Sequence, residues 1–187
     1  MAPLAIRDPR SRKLSVAQVT VDGEVMGPVG IRMELNQPSL VNLINGSGLD
    51  RQAIPPVHDT DIKHAWFASW SEPEKTVLTF DLGALCAVSD IRIWNLNTRS
   101  AHGLGWGQGP TVRDAARQIR LSISSDAKGP WTDLGEFKLH EPTGDRPDAG
   151  DLLPVGREAR HVRIHFARPQ ESPTVGLAEV EFYGLQQ

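Results

Sequence analysis

The feature that most constrains this chain is alternation with a period of two. In "RQIRLSIS" (Arg117–Ser124), Ile119, Leu121 and Ile123 fall on one face, and Gln118, Arg120 and Ser122 on the other. "HVRIHF" turns Val162, Ile164 and Phe166 inward and His161, Arg163 and His165 outward. "LAEVEFYG" sets Ala178, Val180 and Phe182 inside and Glu179 and Glu181 outside. Successive side chains of a strand point to opposite faces, so each segment predicts a strand that is apolar on one side only. "KTVLTFDLG" (Lys75–Gly83), "AVSDIRIWNLN" (Ala87–Asn97) and "WTDLGEFKL" (Trp131–Leu139) add further strands, separated by the turn clusters "SDAKGP", "PTGDRPDAG" and "RPQESP". Amphipathic helical stretches are scarce, and "RDAARQ" (Arg113–Gln118) predicts a single helical turn. Short antiparallel strands with one apolar face bury that face by packing as two layers, so the expected fold is an all-β sandwich.

At 187 residues the chain has the length of one domain with a proper core. Residues 34–187 are assigned to the sandwich and 1–33 to an N-terminal extension that packs on it, with "VAQVTVDGEV" (Val16–Val25) read as a small hairpin. Trp94 projects opposite Ile91 and Ile93, so it needs a cover, and the extension is the expected one. A formal net charge of −3 provides no basic field for phosphate backbones or anionic lipid, which sets nucleic acid aside and disfavours a membrane surface. "RDPRSRK" (Arg7–Lys13) reads as a solvated tail. The single cysteine, Cys86, excludes an intramolecular disulfide and a cysteine-based zinc site, and its apolar setting predicts a buried, inert thiol. The sequence contains no long apolar run and no signal peptide, so its address is open: secreted or cell-surface if it is a piece of a larger chain.

The order of motifs is itself informative. "NLINGSGLD" (Asn42–Asp50), "HDTDIKHAWFAS" (His58–Ser69), "VLTFDLG", "VSDIRIWNLN", "RQIRLSISSDAKGPWTDLGEF", "EARHVRIHF" and "VGLAEVEFYG" follow one another. Together, over roughly Leu35 to Gly184, they resemble the discoidin, or coagulation factor five/eight C-type, domains and the family 32 carbohydrate-binding modules. The resemblance implies a galactose-binding-like jelly-roll sandwich of about eight mainly antiparallel strands. Such domains take ligand on loops at one end, are usually non-catalytic and are often joined to a carbohydrate-active enzyme. It also implies a structural calcium ion (Ca2+) under the first long loop, with Asn45, Ser47 and Glu179 at the matching positions. Asn45 and Ser47 stand where the family has acidic residues, so oxygens are kept and two formal charges are lost; the alternative is an asparagine–glycine turn held by hydrogen bonds alone.

"NTRSAHGLGWGQGP" (Asn97–Pro110) falls where the resemblance places a ligand-facing loop, and it is longer than a connecting turn needs. A saccharide offers an apolar C–H face and a rim of hydroxyls. Trp106 supplies a platform for the first, and Asn97, Arg99, His102 and Gln108 supply partners for the second. The other reading of Trp106 is a lid folded over the sandwich end. "HDTDIKHAWFASW" contributes His58 and Asp61 as polar sugar contacts, while His58, Asp59, Asp61 and His64 lack the spacing of a zinc site. Trp66 is expected in the core, Trp70 at the binding end or shielding an edge, and Trp131 in a structural role. No carboxylate pair, nucleophile elbow or phosphate cradle is legible, so the expected function is non-catalytic glycan binding. The alternative is a protein–protein assembly module of the same fold that uses the extension and Trp94.

Overall fold

The structure is a computed structural model that describes residues 10–22, 40–69, 76–98, 111–167 and 174–186. Its strands are β1 (Arg12–Lys13), β2 (Gln18–Asp22), β3 (Leu49–Asp50), β4 (Val57–His58), β5 (Trp66–Ser69), β6 (Val77–Asn95), β7 (Gln118–Ser124), β8 (Thr132–Lys138), β9 (Asp151–Phe166) and β10 (Thr174–Gln186). Hydrogen bonding runs β1-β10-β6-β9-β7-β8, with β2 beside β6 and β5 beside β10, and these pairings are antiparallel. β3 and β4 form a separate short ribbon. Short 3₁₀ turns occupy Leu40–Leu43, Ile62–His64 and Val112–Asp114; the last stands slightly ahead of the helical turn expected at Arg113–Gln118.

A continuous ladder becomes a sandwich because β6 and β9 serve both layers. The first part of β6 pairs with β2, from Val77↔Asp22 to Asp81↔Gln18, and its second part pairs with β10, from Cys86↔Gln186 to Asn95↔Leu177. β9 follows it throughout, with its register broken between Asp81 and Cys86. Gly83 lies in that break with φ +78°, a backbone conformation that a side chain would strain. Phe80 and Ile91 stand eleven residues apart in β6, a separation of about 35 Å in a straight strand. Yet the Phe80 ring lies 5.2 Å from that of Phe182, the residue paired with Ile91. The strand pair has therefore folded over on itself. Trp66 and Phe166 make a second contact between the layers, 6.1 Å apart, and place Trp66 in the core as expected.

The inward faces are those the alternation assigns: Ile119, Leu121, Ile123, Val162, Ile164, Phe166, Val180 and Phe182 are all buried. Cys86 is buried too, and burial raises its thiol pKa. The outward faces differ from expectation. Glu179, Glu181, His161 and Ser122 are buried, because loops and neighbouring side chains form a cover outside the sheet. Ala178 is redirected by an irregularity between Leu177 and Glu179 and joins Trp94 in a small outer core with Ala65, Leu96 and Ala115. Trp94 is fully buried there, packed by Leu49 and Ile62, and its indole N–H donates to the Pro56 carbonyl at 3.3 Å. Its described cover is thus the segment between Leu49 and Ala65, where the N-terminal extension was expected.

The described part of that extension is built into the sheet. β2 pairs with β6, β1 pairs with β10, and Leu14 between them enters the main core. The remainder of the expected hairpin, residues 23–25, lies outside the described residues. Removing the large ring that joins the layers tests the arrangement. Phe182→Ala is expected to cost about 3–5 kcal/mol in a urea unfolding curve.

Candidate functional site at the loop end of the sandwich

Because β6 folds over, its two ends return to the same end of the molecule. Val77 pairs with His165 there, Asn95 with Leu177, Ser69 with Thr174, Ile93 with Asp151, and Gln118 with Lys138. Residues 70–75, 99–110 and 168–173 connect strand ends at this rim and lie outside the described residues. Trp70, Arg99, His102, Trp106 and Gln108 fall in the first two of these segments, so their expected roles lie outside the described residues.

The residues on either side of positions 99–110 form a described frame. Its stem is closed by the Val112 N–H, which donates to the Thr98 carbonyl at 2.8 Å. Thr111 then caps the 3₁₀ turn: its hydroxyl accepts from the Arg113 N–H at 3.2 Å, and its own N–H donates to Asp114 Oδ2 at 2.6 Å. Two buried asparagines fasten neighbouring loops. Asn95 donates to the Ala116 carbonyl at 2.6 Å and accepts from the Ala116 N–H at 2.9 Å. Asn97 donates to the Arg146 carbonyl at 2.8 Å and accepts from the Gly144 N–H at 2.8 Å. Asn97 is only 4% exposed, which corrects its expected role. Its amide is spent on the backbone of the 144–146 loop, so it positions the rim and does not face a ligand.

His140 fastens the same loop from the other side. Its Nε2 lies 2.6 Å from Asp148 Oδ2 and its Nδ1 2.9 Å from Asp151 Oδ2. Burial alone lowers the imidazole pKa, but the two carboxylates outweigh it and the net shift is upward. Asp148 also exchanges backbone hydrogen bonds with His58, at 2.7 and 2.9 Å. His58 is 1% exposed, which corrects its expected sugar contact, and burial lowers its pKa. A Cβ added to Gly48 would lie 2.8 Å from the His58 ring, so this imidazole is packing beneath a loop. Asp61 is exposed; its Oδ1 accepts from the Lys63 N–H at 3.0 Å and caps the following 3₁₀ turn. Asp59 takes His64 Nδ1 at 2.8 Å, and no group of three or more metal-ligating side chains occurs among the described residues. Trp131 lies away from this frame, at the turn before β8, with the Arg163 guanidinium 3.8 Å from its ring centre.

The predicted calcium residues are brought together on the outer face of β10. Glu179, fully buried, accepts the Gly46 N–H on its two oxygens at 3.1 and 2.9 Å. Asn45 Oδ1 accepts from the Ser47 N–H at 2.7 Å. Burial pushes the Glu179 carboxyl up to about 8, against the opposing pull of the Gly46 amide, Lys13 and Arg51. Glu181 is also desolvated, yet Arg51, Lys13 and Tyr183 hold it below the usual carboxylate range.

No protein-family model matches the chain, and no curated protein matches it in sequence. Solved structures do match in shape. The CBM32-1 and CBM32-2 domains of Clostridium perfringens ZmpB, in complex with GalNAc, superpose with a TM-score of 0.58 at 12% identity, over 91% of this chain and 33% of theirs. The CBM32 of AlyQ, in complex with 4,5-unsaturated mannuronic acid, gives 0.54 at 15% identity, over 91% of this chain and 97% of that one. A family 89 glycoside hydrolase from Clostridium perfringens, in complex with its substrate GlcNAc-α-1,4-galactose, gives 0.55 at 16% identity over 92% of this chain; the match spans only 15% of that enzyme. At these identities the likeness is one of fold. The chain has the discoidin-like, galactose-binding-like fold of the family 32 carbohydrate-binding modules, in agreement with its motif order.

Two outcomes check the frame. Asn97→Ala strands the buried Gly144 N–H and takes a donor from the Arg146 carbonyl, so it is expected to cost about 1–3 kcal/mol and to speed hydrogen exchange at the Gly144 amide. His140 has a raised folded-state pKa, so its contribution is fully present below the ordinary imidazole value and fades as pH rises through the folded one. The difference in melting temperature between wild type and His140→Gln is therefore expected to shrink as pH is raised from 6 to 9.

Proposed function

We propose that this domain is a non-catalytic carbohydrate-binding module that holds a glycan at the loop end of its sandwich. The carrying observation is the described frame. Strand ends flanking the segments that contain Trp70 and Trp106 converge on one rim, and buried asparagines immobilise the loops around it. A frame fastened by internal hydrogen bonds suits a weakly binding site, because every group ordered on contact would consume part of the small free energy available. Binders of the same fold, captured with GalNAc and with unsaturated mannuronic acid, support the reading. In this chain Trp106 is the stacking platform, with Arg99, His102, Gln108, Trp70 and exposed Asp61 as the surrounding candidates.

Several described carboxylates near the rim are engaged in internal structure. Asp114 is in a capping box, Asp148 and Asp151 clasp His140, and Asp59 holds His64. Among the described residues, the features that favour the alternative of an assembly module are engaged within the chain. Residues 12–13 and 18–22 pair with this chain's own β10 and β6, and Trp94 is buried within the chain. The occurrence of such modules in larger enzymes supports a carbohydrate-active partner, fused or separate.

Affinity is expected between millimolar and micromolar, about −4 to −8 kcal/mol. Trp106→Ala is expected to remove about 1–3 kcal/mol of stacking, a loss of roughly 5- to 150-fold, with the melting temperature unchanged. Affinity electrophoresis on GalNAc-bearing glycans and on alginate oligosaccharides checks this. Retention that survives the substitution unchanged rejects the site.

A further inference from the structure

The residues that the family resemblance assigns to calcium meet in space, but the oxygens of Asn45 and Glu179 already accept backbone N–H groups. Asn45 Oδ1 closes its own turn on the Ser47 N–H, and both oxygens of Glu179 are directed at the Gly46 N–H. Calcium takes roughly six to eight oxygens and gains affinity from carboxylates, and this set contains a single carboxylate. The donor set does not fit the ion.

A cation belonging to the chain already stands in the loop. Gly46 has φ +75°, and a Cβ built on it would lie 2.9 Å from Arg51 Nη2. The guanidinium is thus packed against the residue whose amide binds Glu179. From there Arg51 Nη2 donates to Glu181 Oε1 at 2.6 Å. Lys13, from β1, donates to the same oxygen at 2.6 Å, and the Tyr183 hydroxyl donates to Oε2 at 2.5 Å. Glu179 and Glu181 sit two residues apart on one face of β10, each at most 1% exposed; burial favours the neutral form of Glu179, and Glu181, which accepts from Arg51, Lys13 and Tyr183, requires positive charge nearby. Two side-chain cations supply it, and a divalent ion placed beside them would be repelled by the guanidinium.

We infer that Arg51, assisted by Lys13, provides from within the chain the charge compensation that the resemblance assigns to calcium, so that the first long loop closes over β10 without a metal. Gly46 fits the same design, since any side chain there would displace the guanidinium.

The test uses the full chain, stripped with chelator and followed by thermal melting and by isothermal titration with calcium chloride. The expected result is no heat of binding and a melting temperature that agrees within about 1 °C between chelator and excess calcium, because a ligand that binds only the folded state would raise it. Arg51→Met is expected to lower the melting temperature by about 5 °C or more, and Arg51→Lys by less, because lysine keeps the charge. Glu179→Gln keeps an acceptor for the Gly46 amide and is expected to remain folded and indifferent to calcium. Saturable calcium heat, calcium-dependent stabilisation of the wild type, or Arg51→Met melting with the wild type each overturns the inference. If Arg51→Met does not fold, the wild-type titration decides alone. Glycan retention is not the readout, so the outcome is separate from that of the proposed function.

Discussion

Everything in this molecule depends on two strands being long enough to belong to both layers. β6 and β9 run together through one sheet, turn over at Gly83, and return through the other. The apolar stripe on each half then faces its counterpart, and the Phe80–Phe182 and Trp66–Phe166 contacts fill the space between them. The same reversal brings the start and finish of β6 to a common rim. Strand ends far apart in sequence become neighbours, so the rim follows from how the core is closed.

The price of this arrangement appears outside the second layer. Near the rim, Trp94, Ala178, Glu179 and Glu181 lie on a face that a simple two-layer sandwich leaves to water, and here they are buried. The segment between Leu40 and Ala65 covers them, giving a thin third layer with an apolar half around Trp94 and a charged half around the two glutamates. Each half is satisfied locally, the indole by the Pro56 carbonyl and the carboxylates by an amide, a guanidinium, an ammonium and a phenol. β1 reaches into the charged half through Lys13, which makes the N-terminal segment part of the same cover.

How much of this was legible in the sequence follows from the range of the forces involved. Strand identity and inward faces depend on alternation, which is local, and Ile119, Leu121, Val162, Ile164 and Phe182 lie where the pattern puts them. Motif order carried the fold, including Trp66 in the core. Alternation says which side a residue takes but not whether a loop will cover that side, so Glu181 and His161 read as outward-facing, and only the family resemblance put Glu179 under a loop. One irregularity in pairing was enough to turn Ala178 around. At the candidate site, Asn97 was noticed but misread, because a polar residue at a strand end looks alike whether it meets ligand or backbone. The "NLN" spacing at Asn95 and Asn97 was a usable clue. The His140–Asp148–Asp151 clasp was not legible, since it closes through a turn of irregular spacing.

The hydrogen bond from Val112 to Thr98 separates what holds the domain together from what it would recognise. Below that clasp, Asn95 binds the Ala116 backbone and Thr111 closes its capping box with Asp114, bonds made by residues on the strand side of positions 99–110. If positions 99–110 carry the proposed glycan contacts, a sequence grafted between Thr98 and Thr111 changes what is bound and leaves this clasp in place.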